Sequence, residues 1–508
     1  MAGHRGAPLA RVITVLRALL ALVLVAALAG CSAGSTAYSS PSADSVTIGF
    51  TAPPANLDFT RTDGAAIPQA LLDNVYQGLV RLDANGAIVP QLATSWMVSP
   101  DRRTYDFQLR PGVTFTDGEP FTADTVKFSI DRVHTDWTIS LKSEMDVVDH
   151  VEAVSPTHAR VVLKQPSNGW LFTMASRVGA MFAPNGVGNL ATTAIGTGPY
   201  QLDRFNRGDS IVLKANPGYW GPKPAYGRVV LKYFQDPTAL NNALLSNGID
   251  VISSVQAPDS LAQFASDERF TTIQGTTTAE VVLSFNNAKA PLNDKRVRQA
   301  LTYGIDRKAL LDTAWAGKGL LIGSMVPPSD PWYEDLSAVY PYDPAQARQL
   351  LAAAGQQHLT LRLRIPNLPY AVDSAQVIRS QLAAIGVTVS IEELDFPAVW
   401  LKQVFTGHDF DMSIVAHVEA RDIVTFGNPK YYWGYDNPAV AQLLADADTG
   451  TPEQQIADMR QVARTINADA AADWLFLLPN LIVAKKGITG IPPNQVGESF
   501  DLSVLGRS

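Results

Sequence analysis

Between Asp343 and Glu419 helix and strand patterns alternate with their start and stop residues in place, and few folds can accommodate that order. Asp343-Pro344 supplies an N-cap and a first-turn proline, "AQARQLLAAAG" continues with good helix formers, and Gly355 stands where a helix gives way to a loop. "LTLRLRIPN" (Leu359 to Asn367) alternates apolar and polar residues and predicts a strand. "VDSAQVIRSQLAAIG" predicts a helix over Val372 to Gly386, and "VTVSIEEL" a strand over Val387 to Leu394. A short helix around Ala398 to Phe405 ends at Gly407, and "FDMSIVAH" predicts a third strand over Phe410 to His417. This β-α-β-α-β order is the unit of a parallel, doubly wound α/β sheet with right-handed crossovers.

Open α/β sheets bind ligands in the crevice beyond the carboxyl ends of their strands. Past the first and third strands of the unit lie Asn367 to Tyr370 and "HVEARD", His417 to Asp422. Near the start, "SVTIGF" (Ser45 to Phe50) predicts another strand, whose exit loop "TAPPANLDF" holds Asn56 and Asp58. These three loops are the candidate binding loops.

The N-terminus is a different kind of segment. Arg5, Arg11 and Arg17 form a basic region with no acidic residue before Asp44, and Leu19 to Leu28 is an apolar run too short to span a bilayer. Leu28-Ala29-Gly30-Cys31 closes it, and Cys31 is the only cysteine in 508 residues, so no internal disulfide or multi-cysteine zinc site is available. The pattern resembles the lipobox of bacterial lipoproteins, which implies cleavage before Cys31 and a diacylglyceryl thioether on it. Residues 31–44, rich in Ser, Ala and Gly, have too little apolar surface to fold and read as a tether. One acyl chain holds a membrane only marginally, and lipoprotein processing supplies more than one.

Charge excludes some functions. Three of the 40 Lys and Arg residues and none of the 48 Asp and Glu precede Cys31, so the remainder is acidic, with no basic stripe. Nucleic acid is therefore not an expected partner. The seven histidines are scattered without HExxH or paired spacing, and no nucleophile elbow, Walker loop or GxGxxG follows a strand. The chain reads as a binding protein without a dedicated metal site, catalytic constellation or cofactor.

"LATSWMVSPDRRTYDFQLRPGVTFTDGEPFTADTVKFSIDRV" (Leu92 to Val133) closely resembles the signature of family 5 extracellular solute-binding proteins, the oligopeptide- and dipeptide-binding components of ABC importers. "GTGPY" (Gly196 to Tyr200), "LKANPGYWG" (Leu213 to Gly221), "NGIDV" (Asn247 to Val251), "NDKRVRQALTYGIDRKAL" (Asn293 to Leu310) and "GYDNPAVAQLLADA" (Gly434 to Ala447) follow in family order. The resemblance implies a type II periplasmic-binding-protein fold: two hinged α/β lobes with an extra subdomain on the first. Projected here, residues 1–30 are the signal peptide and 31–44 the tether. The first lobe takes 45–80, 196–283 and a return at 483–508, the extra subdomain 81–195, and the second lobe 284–482. The hinge crossings are expected near Leu283 to Asn286 and Leu478 to Val483. Arg296 and Arg298, at the start of a helix, are expected to make structural ion pairs.

The sequence departs from the family at the expected site. Peptide-binding relatives carry a Gly-Trp pair and then an Asp that holds the peptide α-amino group; here Ala416-His417 and Ala420 take those places, with Glu419 and Asp422 flanking. Either carboxylate could receive an ammonium, with Arg421 for a carboxylate, and the loop could equally be solvated with its own Glu419–Arg421 or Arg421–Asp422 pair. In "NPKYYWGYDNP", Trp433 and Tyr435 either wall a ligand pocket or pack internally. The function implied by the resemblance is that of a monomeric, lipid-anchored protein on the extracytoplasmic face of a bacterial cell membrane. It would capture a peptide or peptide-like solute and deliver it to an ABC permease. A non-peptide solute (a glycan, metal chelate or haem) and a surface sensor role remain open alternatives.

Overall fold

The structure, a computed structural model, describes residues 44–508, so the leader, Cys31 and nearly all of the tether lie outside the described residues. The expected β-α-β-α-β unit is present. Leu359–Pro366 runs parallel to Val387–Leu394 along its length and meets Met412–His417 in parallel at Leu363 and Met412. The Asp343 carboxylate accepts hydrogen bonds from the backbone N–H groups of Ala345 and Gln346 (3.0 and 2.9 Å) at the head of helix Pro344–Ala353. Gly355 and Gly386 follow their helices at φ of 69° and 89°, where a side chain would be strained. The second helix starts at Pro369 rather than Val372, because a proline fits the first turn, where its missing N–H is not needed. The third strand starts at Met412 rather than Phe410, whose carbonyl is taken by the Asn286 amide.

That unit is one end of a sheet of ten strands. In order they are Val387–Leu394, Leu359–Pro366, Met412–His417, Phe270–Phe285, Ala472–Lys485, Val251–Ile252, Ser45–Phe50, Arg228–Tyr233, Ser210–Ala215 and Tyr200–Asn206. The two long central strands, Phe270–Phe285 and Ala472–Lys485, are antiparallel, and their pairing is interrupted between Thr276 and Glu280. The packing changes over at the same place. Before the break, Phe270 packs in a core with Leu240 and Val483, and Ile273 packs against another with Val46 and Ile48; after it, Val281, Leu283 and Phe285 join a core with Leu363, Ile378 and Met412, and Val282 one with Trp433 and Trp474. A separate four-stranded antiparallel sheet (Ala93–Val98, Thr104–Leu109, His158–Leu163, Val148–Ser155) carries helix Ala123–Asp136 and shares the first core.

Arg296 pairs with Asp294 at 2.6 Å, as expected. Arg298 differs: it is buried and donates to the carbonyls of Leu292, Asp469 and Ala470. Among the described residues no helix is long and apolar enough to cross a membrane.

Candidate ligand site at the strand exit

His417 ends its strand directly opposite Glu280 on the neighbouring long strand, so the two side chains share one face of the sheet. The chain then turns sharply, with Arg421 in the left-handed region (φ 62°, ψ 27°), and Asp422 comes back onto the histidine. His417 Nδ1 lies 3.3 Å from Asp422 Oδ2, and ligand atoms of His417, Glu419 and Asp422 all fall within 4.8 Å of one another. On its other side His417 Nε2 lies 3.0 Å from the Tyr432 hydroxyl, which in turn is 2.6 Å from Ser284 Oγ. The imidazole also lies nearly parallel to the Tyr432 ring, so both its plane and its nitrogens are fixed. Thr278 ties the loop to the long strand through a 2.8 Å bond to the Val418 carbonyl.

Carboxylates are in excess here, and they are poorly satisfied. Glu280 is 1% exposed and Asp422 8% exposed; Glu280 Oε2, Asp330 Oδ2 and both Asp422 oxygens lack a hydrogen-bond partner. Burial pushes the Glu280 carboxyl well up, and the neighbouring Asp422, Asp330 and Glu419 charges add to it. Burial also raises Asp422 against the pull of His417, and raises Asp330 to about 7 against the pull of Arg421. Buried carboxylates without donors cost free energy unless a cation or a proton compensates them. Neither local pair weighed as an alternative for Arg421, with Glu419 or with Asp422, is formed. Its guanidinium lies over Phe172 (3.7 Å to the ring centroid), 5.0 Å from the Trp332 centroid and 4.0 Å from Asp330. Glu419 is exposed and faces other charges, adding to the burial that raises Asp63 and Glu144.

The structure therefore gathers His417, Glu419, Arg421 and Asp422 at one place. The other expected residues have internal partners. Asn56 Oδ1 accepts from the Asp58 N–H and Asp58 from the Thr60 N–H and hydroxyl, as turn-closing contacts. Asn367 accepts from the Phe396 N–H. Trp433 is fully buried, stacked on Phe426 at 4.2 Å, and Tyr435 donates to Asp469. Of the two readings kept for these aromatics, internal packing describes the observed contacts. Sequence reasoning missed Glu280 and Asp330. The signal for Glu280 was a lone charge inside the apolar strand "AEVVLSF"; Asp330 sits in a proline-flanked turn and gave none. An open pocket of about 430 Å³ runs along the crossing strands past Thr276, Leu320, Ser329 and Leu478, and no member of the charged cluster lines it.

Separate cores joined by crossing strands give the class of fold, the two-lobed type II periplasmic-binding fold. The chain belongs to the bacterial extracellular solute-binding proteins, family 5, whose model matches residues 87–443. It is 30% identical over 341 residues to the glutathione-binding protein GsiB of Escherichia coli O1:K1, a match covering 65% of each chain. It is 31% identical to GsiB of Salmonella typhimurium over 340 residues. Thus the chain matches slightly less than two thirds of the length of these relatives. Among solved structures, DppA of Helicobacter pylori in complex with the peptide STSA superposes with a TM-score of 0.80 at 21% identity, covering 91% of this chain and 98% of that one. NikZ of Campylobacter jejuni in complex with Ni(L-His) superposes with a TM-score of 0.79 at 22% identity, covering 91% and 99%.

Proposed function

We propose that this protein captures a peptide or peptide-like solute between its lobes and delivers it to the permease of an ABC importer. On this reading it works as a monomer tethered through lipidated Cys31 to the extracytoplasmic face of the cell membrane. The observation that supports the reading most is the set of buried carboxylate oxygens without a hydrogen-bond donor, on Glu280, Asp330 and Asp422, beside a wired histidine at a strand exit. Such a cluster suits a cationic group on the solute, with Arg421 available for an anionic one. The solute-binding family and the GsiB relatives point the same way. Asn56, Asp58, Asn367, Trp433 and Tyr435 then shape the loops and core behind the site, while His417, Glu419, Arg421 and Asp422 face the solute. On the lobe boundaries projected from the family, with the second lobe at 284–482, the loop at 417–422 would border the cleft. Open and closed states would interconvert, and the solute would favour the closed one.

The test is native mass spectrometry of solute that co-purifies with the protein, followed by calorimetry with that solute. Asp422→Asn keeps shape and removes charge. Losing one partner of a buried charge pair costs about 2–5 kcal/mol, which is roughly 30-fold or more in affinity. Wild-type affinity in Asp422→Asn for a cationic solute, or steady turnover of the solute, would overturn the reading.

A further inference from the structure

We propose that His417, Glu419 and Asp422 form a binding site for a divalent transition-metal cation, through which the cleft holds a chelating, peptide-like solute. The inference rests on the capture role proposed above and names the chemistry of its site. A cluster of carboxylates alone would suit an ammonium or a hard cation. This cluster contains an imidazole, and its arrangement is that of a metal ligand.

Three features carry the assignment. The first is spacing. Ligands about 2.0–2.1 Å from a tetrahedral ion stand about 3.4 Å apart, and His417 Nδ1 and Asp422 Oδ2 are already 3.3 Å apart. Glu419, on the exposed side of the same turn, lies within 4.8 Å of both and closes on the ion by a side-chain rotation. The second is the outer shell. His417 Nε2 can donate to the Tyr432 oxygen while Tyr432 donates to Ser284, which leaves Nδ1 with its lone pair aimed at Asp422. A hydrogen bond from the far nitrogen is the usual way a protein fixes the tautomer and plane of a ligating histidine. The third is unmet demand. Asp422 is buried with neither oxygen in a hydrogen bond, facing only the His417 imidazole at 3.3 Å, and Glu280, opposite His417 in register, has a buried Oε2 without a hydrogen-bond partner. A dication offsets that negative charge. An ammonium would leave the histidine lone pair without a role. Calcium and magnesium take oxygen ligands, whereas imidazole with carboxylate suits nickel, zinc, cobalt or copper. Three protein ligands leave positions open, and a solute's amine and carboxylate can fill them.

The experiment uses the full chain, stripped of metal with a chelator and titrated calorimetrically with nickel, cobalt and zinc chloride. One equivalent should bind saturably, and the cobalt form should show visible absorption from a nitrogen-containing site. His417→Gln and Asp422→Asn should each weaken binding at least about 100-fold. Tyr432→Phe, which keeps the ring packing, should weaken it about 10–100-fold. His150→Ala, at the exposed Asp149–His150–Glu152 cluster, should leave it unchanged. No saturable binding of any of the three ions, or binding indifferent to all of the His417, Asp422 and Tyr432 variants, overturns the inference. Melting curves identify a variant that has merely unfolded, and Tyr432→Phe then decides. Peptide titrations of the stripped protein separate the two readings. Tight peptide binding without any metal binding removes this inference and leaves the capture role. Metal binding without uptake of any peptide-like solute does the reverse.

Discussion

Asp473 lies on the long return strand, 1% exposed and 3.7 Å from Arg307, yet burial outweighs that cation and holds its carboxyl up at about 6. The folded protein therefore keeps this proton more tightly than the unfolded chain, whose value is near 3.8. The stabilisation is complete below pH 3.8 and fades as pH rises towards 6. It amounts to about 1–3 kcal/mol at one pKa unit per 1.36 kcal/mol. Asp473→Asn has no such proton to lose. Denaturant melts at pH 4.5 and 7 should show a smaller fall in stability for the variant than for the wild type. Equal falls in both would mean that the carboxyl titrates normally. Arg307 should not be stranded in the variant, since it also donates to the carbonyls of Ile322, Trp474, Ser337 and Tyr340.

Helix Pro438–Thr449 shows how an element end becomes a joint. Its start is local, with the Asn437 side chain accepting from the Ala439 and Val440 N–H groups. Its last carbonyls are satisfied from far away in the sequence, as helix ends require. The Asn168 amide donates to the carbonyls of Ala447 and Gly450 (both 2.8 Å), and Arg102 donates to Thr449 and Gly450. Asp448 in return accepts from Ser167 Oγ and the Gly169 N–H (both 2.9 Å). On the proposed boundaries these bonds join the extra subdomain to the second lobe across the cleft. Asn168→Ala should cost the closed form about 1–3 kcal/mol by leaving the Ala447 carbonyl without that donor, the Gly450 carbonyl keeping Arg102. The ligand-free protein should then show a larger radius of gyration in X-ray scattering. Its apparent solute affinity should fall in proportion to the lost closed population. Unchanged scattering and affinity would show that these bonds do not govern closure.

At the scale of the whole molecule, the long strands Phe270–Phe285 and Ala472–Lys485 connect the cores on either side of a break in their pairing between Thr276 and Glu280. A broken ladder between packed cores is where a small change in backbone angles can move one lobe against the other. Arg421 on Phe172 adds a contact between distant parts of the chain, so on the proposed reading capture and closure would share residues at the strand exit. The proposed tether acts on the molecule as a unit. Residues 31–44 carry no apolar periodicity, so Cys31→Ala should move the protein from the membrane to the soluble or secreted fraction with its melting temperature unchanged. Retention in washed membranes would sink the lipid-anchor reading.

The sequence by itself determined the elements whose signals are local. The caps at Asp343 and Gly355, the period-two strand at Leu359–Pro366 and the apolar strand at Ser45–Phe50 fall where short-range chemistry puts them. It also determined that one candidate loop follows the third strand of that unit, because strand order and loop position follow from the same pattern. Tertiary structure decided the rest of the site. Asn56, Asp58 and Asn367 share the loop chemistry of binding residues; the side-chain oxygens of the first two accept backbone N–H groups two residues on, and that of Asn367 accepts from Phe396, brought to it by the fold. Trp433 and Tyr435 are aromatic in a polar stretch, and packing against Phe426 buries them. Glu280 lies 137 positions before His417 and meets it only through antiparallel register, which no local pattern encodes. The unpartnered carboxylates arise in the same way, from burial by segments far apart in the chain, and burial is a property that only the folded molecule has.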